Sequence, residues 1–410
     1  MSKHLHSIGS WQQVLIGTCL SGFMVAVPAD SLVLRADRIF DGQALQSNKA
    51  VWIVDDQIRE VGDFEQLKWQ AEQVLDLGDA SLLPGLIELH SHIRFQNLPE
   101  AVILEHGITT ARDLGGPLKS HTLDSGHLRL LSAGPILTVP GGYPLNIFAH
   151  GHHGHSHEQG NEIGVGLSSV AEAEAAVSHL IANGASIIKV ALEPGGENGA
   201  PWNQHSQHSH AQWPMLSSEL LKTITLTAHQ AGKRVSAHLS ENQGVKLALE
   251  AGVDEWAHMP CLKIDDSLLK QAVQKGVTVI STLDTLSHCP GIYQNAERFA
   301  QWGGSIMYGA ELAHNDIPWG FDSQEMQLLM QLTGMNSVQA LSVATAKAGE
   351  YLGLAPLGRL KSNAPADLIA VKGNALDKLK TLEYPDLVIV AGKIIKNNFP
   401  KPTTVVNPNN

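Results

Sequence analysis

The stretch LLPGLIELHSHI, residues 82–93, decides the reading of this chain. A run of Leu, Ile and Pro suited to burial ends in two histidines with one residue between them. His90 and His92 stand at i and i+2, so on a strand both imidazoles project from the same face. Two nitrogen donors on one side of an apolar strand make half of a metal site. The rest of the chain must supply the other half.

Downstream, short apolar strands alternate with helical stretches. The strands are read at GLIELH (85–90), TTARDL (109–114), LRLLSA (128–133), SIIKVAL (186–192), RVSAHL (234–239), EWAHM (255–259), TVISTL (278–283) and SIMYGA (305–310). Helices are read at 170–184, 217–232 and 266–276. The first places Ala173, Ala176, Val177, Leu180 and Ile181 on one face and stops at Gly184. This alternation predicts an α/β fold, a (β/α)8 TIM-like barrel over residues 82–354, with a doubly wound sheet as the alternative. On either side the pattern changes to short strands punctuated by Gly and Asp. Neither flank could bury a core alone, so residues 30–81 and 355–402 are expected to build one small β-sandwich domain.

Composition narrows the function class. Of 410 residues, 43% are hydrophobic and 17% charged, which is globular rather than disordered. The formal charge is −12 with no cluster of Lys and Arg, so a nucleic-acid partner is not expected. The 21 histidines are an excess that suits a metalloprotein. Residues 1–29 read as an export signal: Lys3, the apolar segment Val14–Ala29, then Val27-Pro28-Ala29 before a cleavage point. The segment is too rich in Gly and Ser for a stable membrane span, and a lipid anchor on Cys19 is the weaker reading. The expected location is therefore the periplasm or the exterior. Cys261 and Cys289 then remain, compatible with a bridge in an oxidising compartment or with two buried thiols.

In a barrel of this kind chemistry sits at the C-terminal ends of the strands. Those ends carry His90 and His92, then Lys189, His238, His258 and Glu311. One strand-end histidine alone is usually a hydrogen-bonded neighbour of the core. Six polar intruders on strands one, four, five, six and eight are not explained that way. Lys189 is the most telling, because lysine almost never enters an interior unpaired.

These residues resemble the amidohydrolase superfamily. PGLIELHSH is similar to its PGLIDxHxH signature, and GITTARDLGG, IIKVALEP, AHLSE, DEWAHMPC and YGAELAHNDIP follow in the same order. The likeness runs through the whole mature chain and is nearest the imidazolonepropionase-like branch with a lysine on strand four. It implies two divalent ions, with zinc expected. His90 and His92 would bind the more buried one, His238 and His258 the other, and N6-carboxylated Lys189 would bridge them. Glu311 would touch the first metal and shuttle a proton. The implied reaction is hydrolysis of an amide-type C–N bond by a metal-bridging hydroxide. Expected substrates are a dipeptide, an N-acyl amino acid or a cyclic amide, and self-association is left open.

Two positions depart from the family, which has Asp where this chain has Glu88 and Glu311. Each change adds a methylene, about 1.5 Å of reach, where an error of about 1 Å costs about 100-fold in rate. Two other readings stay open: a one-metal, deaminase-like hydrolase with unmodified Lys189, or, because Glu311 replaces the usual Asp, a catalytically impaired zinc-binding homologue. AHGHHGHSH (149–157) and HSQHSH (205–210) read as hydrated loop insertions, with zinc capture as the sharper alternative. Aromatics at PGGYP (140–144), APW (200–202), QWP (212–214) and IPWG (317–320) are placed to line a pocket or to pack loops. Tyr143 is the candidate donor to the tetrahedral oxygen of the transition state.

Overall fold

The computed structural model describes residues 31–118, 126–148, 162–195, 212–312, 314 and 317–405. Residues 1–29, expected as an export signal, the segment 200–202 and the histidine-rich stretches 150–157 and 205–210 lie outside these residues.

Both flanks form antiparallel-rich sheets, and period-two alternation explains how they stack. One sheet runs in the order Thr403–Thr404, Gln73–Asp76, Ser31–Arg35, Ala50–Val54, Gln57–Gly62. The other runs Lys393–Asn397, Leu387–Val390, Leu368–Lys372, Ala80–Pro84, Arg38–Phe40, Leu45–Ser47. Leu32 and Leu34 of the first meet Ile39, Leu82, Leu368 and Ile389 of the second in one apolar cluster. Leu83, Ile369, Val371 and Val388 are the alternate residues of the second sheet, and they belong to the large core of the parallel strands. Successive side chains on a strand point to opposite faces, so this sheet is buried on both sides. The strand Ala80–Pro84 hands directly to Leu86–Ser91, which carries the two histidines.

The middle of the chain is α/β and its strands pair in parallel. Leu86–Ser91, Ile108–Asp113 and Arg129–Ser132 form one three-stranded sheet. A second sheet has the order Gly164–Gly166, Ile136–Thr138, Ile188–Leu192, Val235–Leu239, Glu255–Trp256, Thr278–Ile280, Ser305–Met307. Every strand expected in this region is present, several of them shorter than the apolar run suggested. The expected strand 128–133 has an unforeseen continuation. Gly134 (φ +75°) and Pro135 interrupt it, and Ile136–Thr138 then resumes beside the Lys189 strand, pairing Leu137 with Val190. Proline has no N–H for the ladder and glycine takes the left-handed turn, so one run becomes two strands. Beyond Ser305–Met307, Leu312 bridges Ser91 in parallel, with Leu312 N–H donating to His90 O at 3.0 Å.

Helices fall where capping and periodicity put them. Val170–Ala182 starts at Ser169, whose hydroxyl accepts the Glu172 N–H, and buries Ala173, Val177 and Leu180. Gly184 follows at φ +93°, the position past the helix end that glycine favours. Ser217 caps Ser218–Gln230 in the same way. Cys261 and Cys289 form a disulfide between the segments following Glu255–Trp256 and Thr278–Ile280. Among the described residues no helix is long and apolar enough to cross a membrane.

Candidate functional site

The His90 strand sets the geometry. His90 Nδ1–H donates to Ala257 O at 2.7 Å, which leaves Nε2 with its lone pair. That atom lies 3.3 Å from His92 Nε2. Two nitrogens each about 2.1 Å from one tetrahedral ion stand roughly 3.4 Å apart, so this spacing suits a shared cation. Donor atoms of His90, His258 and Glu311 all lie within 4.8 Å of one another. Glu311 places Oε1 3.7 Å from His92 Nε2 and Oε2 3.9 Å from His258 Nδ1. His258 Nδ1 is also 3.1 Å from the Thr282 hydroxyl. The His238 ring stands 4.9 Å from that of His258, edge to face, and 4.5 Å from the stacked ring of Tyr143.

Burial tunes these groups toward ligation. It pushes His90 and His258 well below the ordinary imidazole range, with positive neighbours adding to the effect. His92 is lowered to about 3, by burial first and Lys189 second. All three imidazoles are therefore neutral, the state in which histidine binds metal. Lys189 is 1% exposed. Burial lowers its pKa to about 7, with Arg112 helping and Glu311 and Glu255 pulling the other way. A substantial share of its amine is then unprotonated and nucleophilic at neutral pH. Burial raises the Glu311 carboxyl above its usual range, offset in part by His314, Lys189 and His238. Burial, Glu311 and Glu193 all push the Tyr143 phenol upward, so it stays a hydrogen-bond donor. Neutral imidazoles, a carboxylate and a partly unprotonated lysine amine gathered at one cavity form a donor set that fits divalent cations.

A cavity of about 160 Å³ opens onto this cluster. His92, Tyr143, Lys189, His238, His258 and Glu311 line it, and His90 lies directly behind His92 and His258. The structure thus brings all seven residues singled out in the sequence to one place. Most of the remaining lining is apolar: Phe95, Ile136, Ile147, Phe148, Ile163 and Leu286. Phe95 and Phe148 meet edge to face at 5.4 Å. Trp213 stacks on Tyr143 with 6.2 Å between centroids, whereas Trp319 is exposed.

The two lengthened acids differ in what they touch. Glu88 is fully buried and binds no imidazole among the described residues; its Oε1 accepts the His90 N–H at 2.7 Å and the Ala310 N–H at 3.0 Å. It therefore joins the backbone of the first strand to the residue preceding Glu311. Burial raises its carboxyl to about 8 against the pull of those two hydrogen bonds. Glu311 itself takes the left-handed conformation, φ +55°.

Several supporting residues were not recognised in the sequence. Arg112 pairs with Glu255 at 2.8 Å beneath the cluster, its Nε donates to Leu89 O, and Tyr351 O–H donates to Glu255. Both ions are polar intruders in buried strands, the same signal that singled out Lys189. Glu193, four residues beyond Lys189, is 3% exposed, with Oε2 3.5 Å from His238 Nε2. Strand periodicity from Lys189 would have found it.

Comparison with known proteins places the chain in a family. Residues 81–395 match the model of the amidohydrolase family. An uncharacterized protein of Mycobacterium tuberculosis is 26% identical over 375 residues, covering 84% of this chain and 91% of that protein. Ochratoxinase of Aspergillus niger is 27% identical over 248 residues, 55% of this chain and half the length of that enzyme. Its crystal structure superposes with a TM-score of 0.71 at 20% identity, covering 90% of this chain and 96% of that one. A putative prolidase from Bifidobacterium longum also gives a TM-score of 0.71 at 24% identity, covering 91% of this chain and 96% of that one. The family match spans most of the sequence and includes every residue of the cluster, so this chain belongs to the amidohydrolase family, hydrolases of carbon–nitrogen bonds.

Proposed function

We propose that the protein is a metal-dependent hydrolase of small amides that carry an apolar group. The observation that carries this reading is the 3.3 Å approach of two histidine nitrogens inside a cluster of six ligand-type side chains, four of them buried and His92 and Glu311 mostly so. His90 and His92 would hold one divalent ion and His238 and His258 a second, with zinc the expected metal. Lys189, carboxylated through the unprotonated fraction of its amine, would serve them as a bridging anion, which its lowered pKa supports. Such ions supply a nucleophile at neutral pH and Lewis-acid polarisation of the scissile carbonyl.

The chain's own groups would do the rest. Glu311 faces both His92 and His258, so its carboxylate is placed to take the proton of the attacking water. Returning that proton to the leaving nitrogen completes general base and then general acid catalysis. Tyr143 O–H would donate to the oxygen that becomes negative in the tetrahedral intermediate. The wall of Phe95, Ile136, Phe148 and Ile163 would seat an apolar substituent and exclude water. The prolidase and ochratoxinase likenesses support an amide bond as the target. Closure of the parallel strands into an eight-stranded barrel, with the paired sheets as a flanking sandwich, is the architecture the Leu312–Ser91 bridge supports. Export to an oxidising compartment is supported by the disulfide.

The test is metal analysis of protein purified with bicarbonate, followed by a screen of dipeptides and N-acyl amino acids. Two ions per chain, bicarbonate-dependent loading and turnover of apolar amides are expected. A one-metal centre is the second reading, favoured by the close grouping of His90, His258 and Glu311 without His238. One ion per chain with no bicarbonate effect selects it.

A further inference from the structure

The carboxylate of Glu193 is the buried acid near the centre that the scheme above leaves without a task. Glu193 follows the strand Ile188–Leu192 and shares a face with Lys189, four residues earlier. Its Oε1 accepts the Gly195 N–H at 2.9 Å, which fixes the carboxylate to backbone. Its Oε2 has no hydrogen-bond partner among the described residues and lies 3.5 Å from His238 Nε2. Burying a carboxylate oxygen is costly unless a donor meets it. The donor within reach is that imidazole nitrogen, slightly beyond the usual N–H···O distance.

Resting on the metal reading above, we propose that Glu193 is a positioning residue for His238. It accepts the Nε2–H proton and so holds the tautomer in which Nδ1 is bare and ligates the cation. A neutral imidazole has one N–H, and the partner of one nitrogen decides which nitrogen is left for the metal. Tyr143 stacks on the face of His238 and the edge-to-face contact with His258 limits its swing. The ring plane is thereby confined, but either nitrogen could still carry the single proton. Glu193 breaks that degeneracy, because a carboxylate 3.5 Å from Nε2 favours the tautomer with its N–H on that nitrogen.

The experiment compares the full chain with Glu193→Gln and Glu193→Ala. Affinities for Zn2+ are measured by competition with a chromophoric chelator, visible spectra after Co2+ loading, and melting of the metal-free proteins. The expected result is a 10–100-fold loss of Zn2+ affinity at the weaker site in the alanine variant. Glutamine, which keeps a neutral acceptor, is expected to recover part of it. The Co2+ bands should move while the metal-free melting temperature stays within about 2 °C. Unchanged affinity overturns the proposal, as does a loss of affinity matched by a loss of metal-free stability. If Glu193→Gln binds one ion fewer with a changed Co2+ coordination number, Glu193 is a ligand and the positioning role is overturned. Wild-type protein that binds neither Zn2+ nor Co2+ overturns the metal reading, and this inference with it.

Discussion

Replacing Glu311 by Asp restores the family's residue at the last strand and tests whether the site has been rebuilt around the longer side chain. The Glu311 oxygens now stand 3.7 Å from His92 Nε2 and 3.9 Å from His258 Nδ1. Removing a methylene withdraws the carboxylate by about 1.5 Å, the length of one C–C bond. Misplacement by about 1 Å costs on the order of 100-fold in rate, so kcat should fall by at least that factor, about 2.7 kcal/mol in the barrier. Stability should not fall with it. The backbone at 311 is left-handed, a conformation aspartate adopts more readily than glutamate. Steady-state kinetics on an apolar N-acyl amino acid, with metal content and melting temperature on the same preparations, give the readouts. A rate that rises in Glu311→Asp would refute the reasoning and mark the native site as impaired.

Other expectations concern charge and cross-linking. Lys189→Met should abolish bicarbonate-dependent metal loading yet stabilise the metal-free protein near pH 7. The folded pKa of Lys189 is depressed to about 7, so unfolding takes up a proton between that value and 10.5. At about 1.36 kcal/mol per unit, the native lysine costs at most about 5 kcal/mol below pH 7, to be read by chemical denaturation. Glu325 has the mirror-image case. Burial raises its carboxyl to about 8, so the folded state keeps a proton that the unfolded state releases above about 4.5. Stability should therefore fall as pH rises from about 4.5 to 8, and Glu325→Gln should flatten that slope in a pH series of melting curves. Cys261→Ser removes a cross-link spanning 28 residues, worth roughly 3–4 kcal/mol by loop entropy. A denaturant midpoint unchanged by the substitution, or by reductant on the native chain, would rule that out.

Much of the scaffold was legible because burial writes itself in periodicity. The nearly continuous apolar run in LLPGLIELHSHI announces a strand covered on both faces, and the structure buries every residue of Leu86–Ser91. Polar residues at the ends of such runs, as at Lys189 and His238, stand out because nothing but partnership keeps them inside. Legibility failed where local chemistry broke the period. Gly134 and Pro135 divide one strand in two, and the three residues of Gly164–Gly166 are too few for a pattern. Glu193 escaped because it lies past the apolar run, next to Pro194, although its side chain still faces the cluster. The pairing of Cys261 with Cys289 depends on how two successive segments lie in space, which spacing along the chain does not encode.

The bond from Glu88 to the Ala310 backbone has a consequence for descent. Residues 88 and 311 are linked through one peptide unit, so the best residue at either position depends on the other. A lineage passing from two aspartates to two glutamates, or back, must cross an intermediate in which one acid is long and the other short. Such an intermediate is mismatched at the site, so paired replacement is the favoured route and surviving relatives should carry matching lengths at both positions.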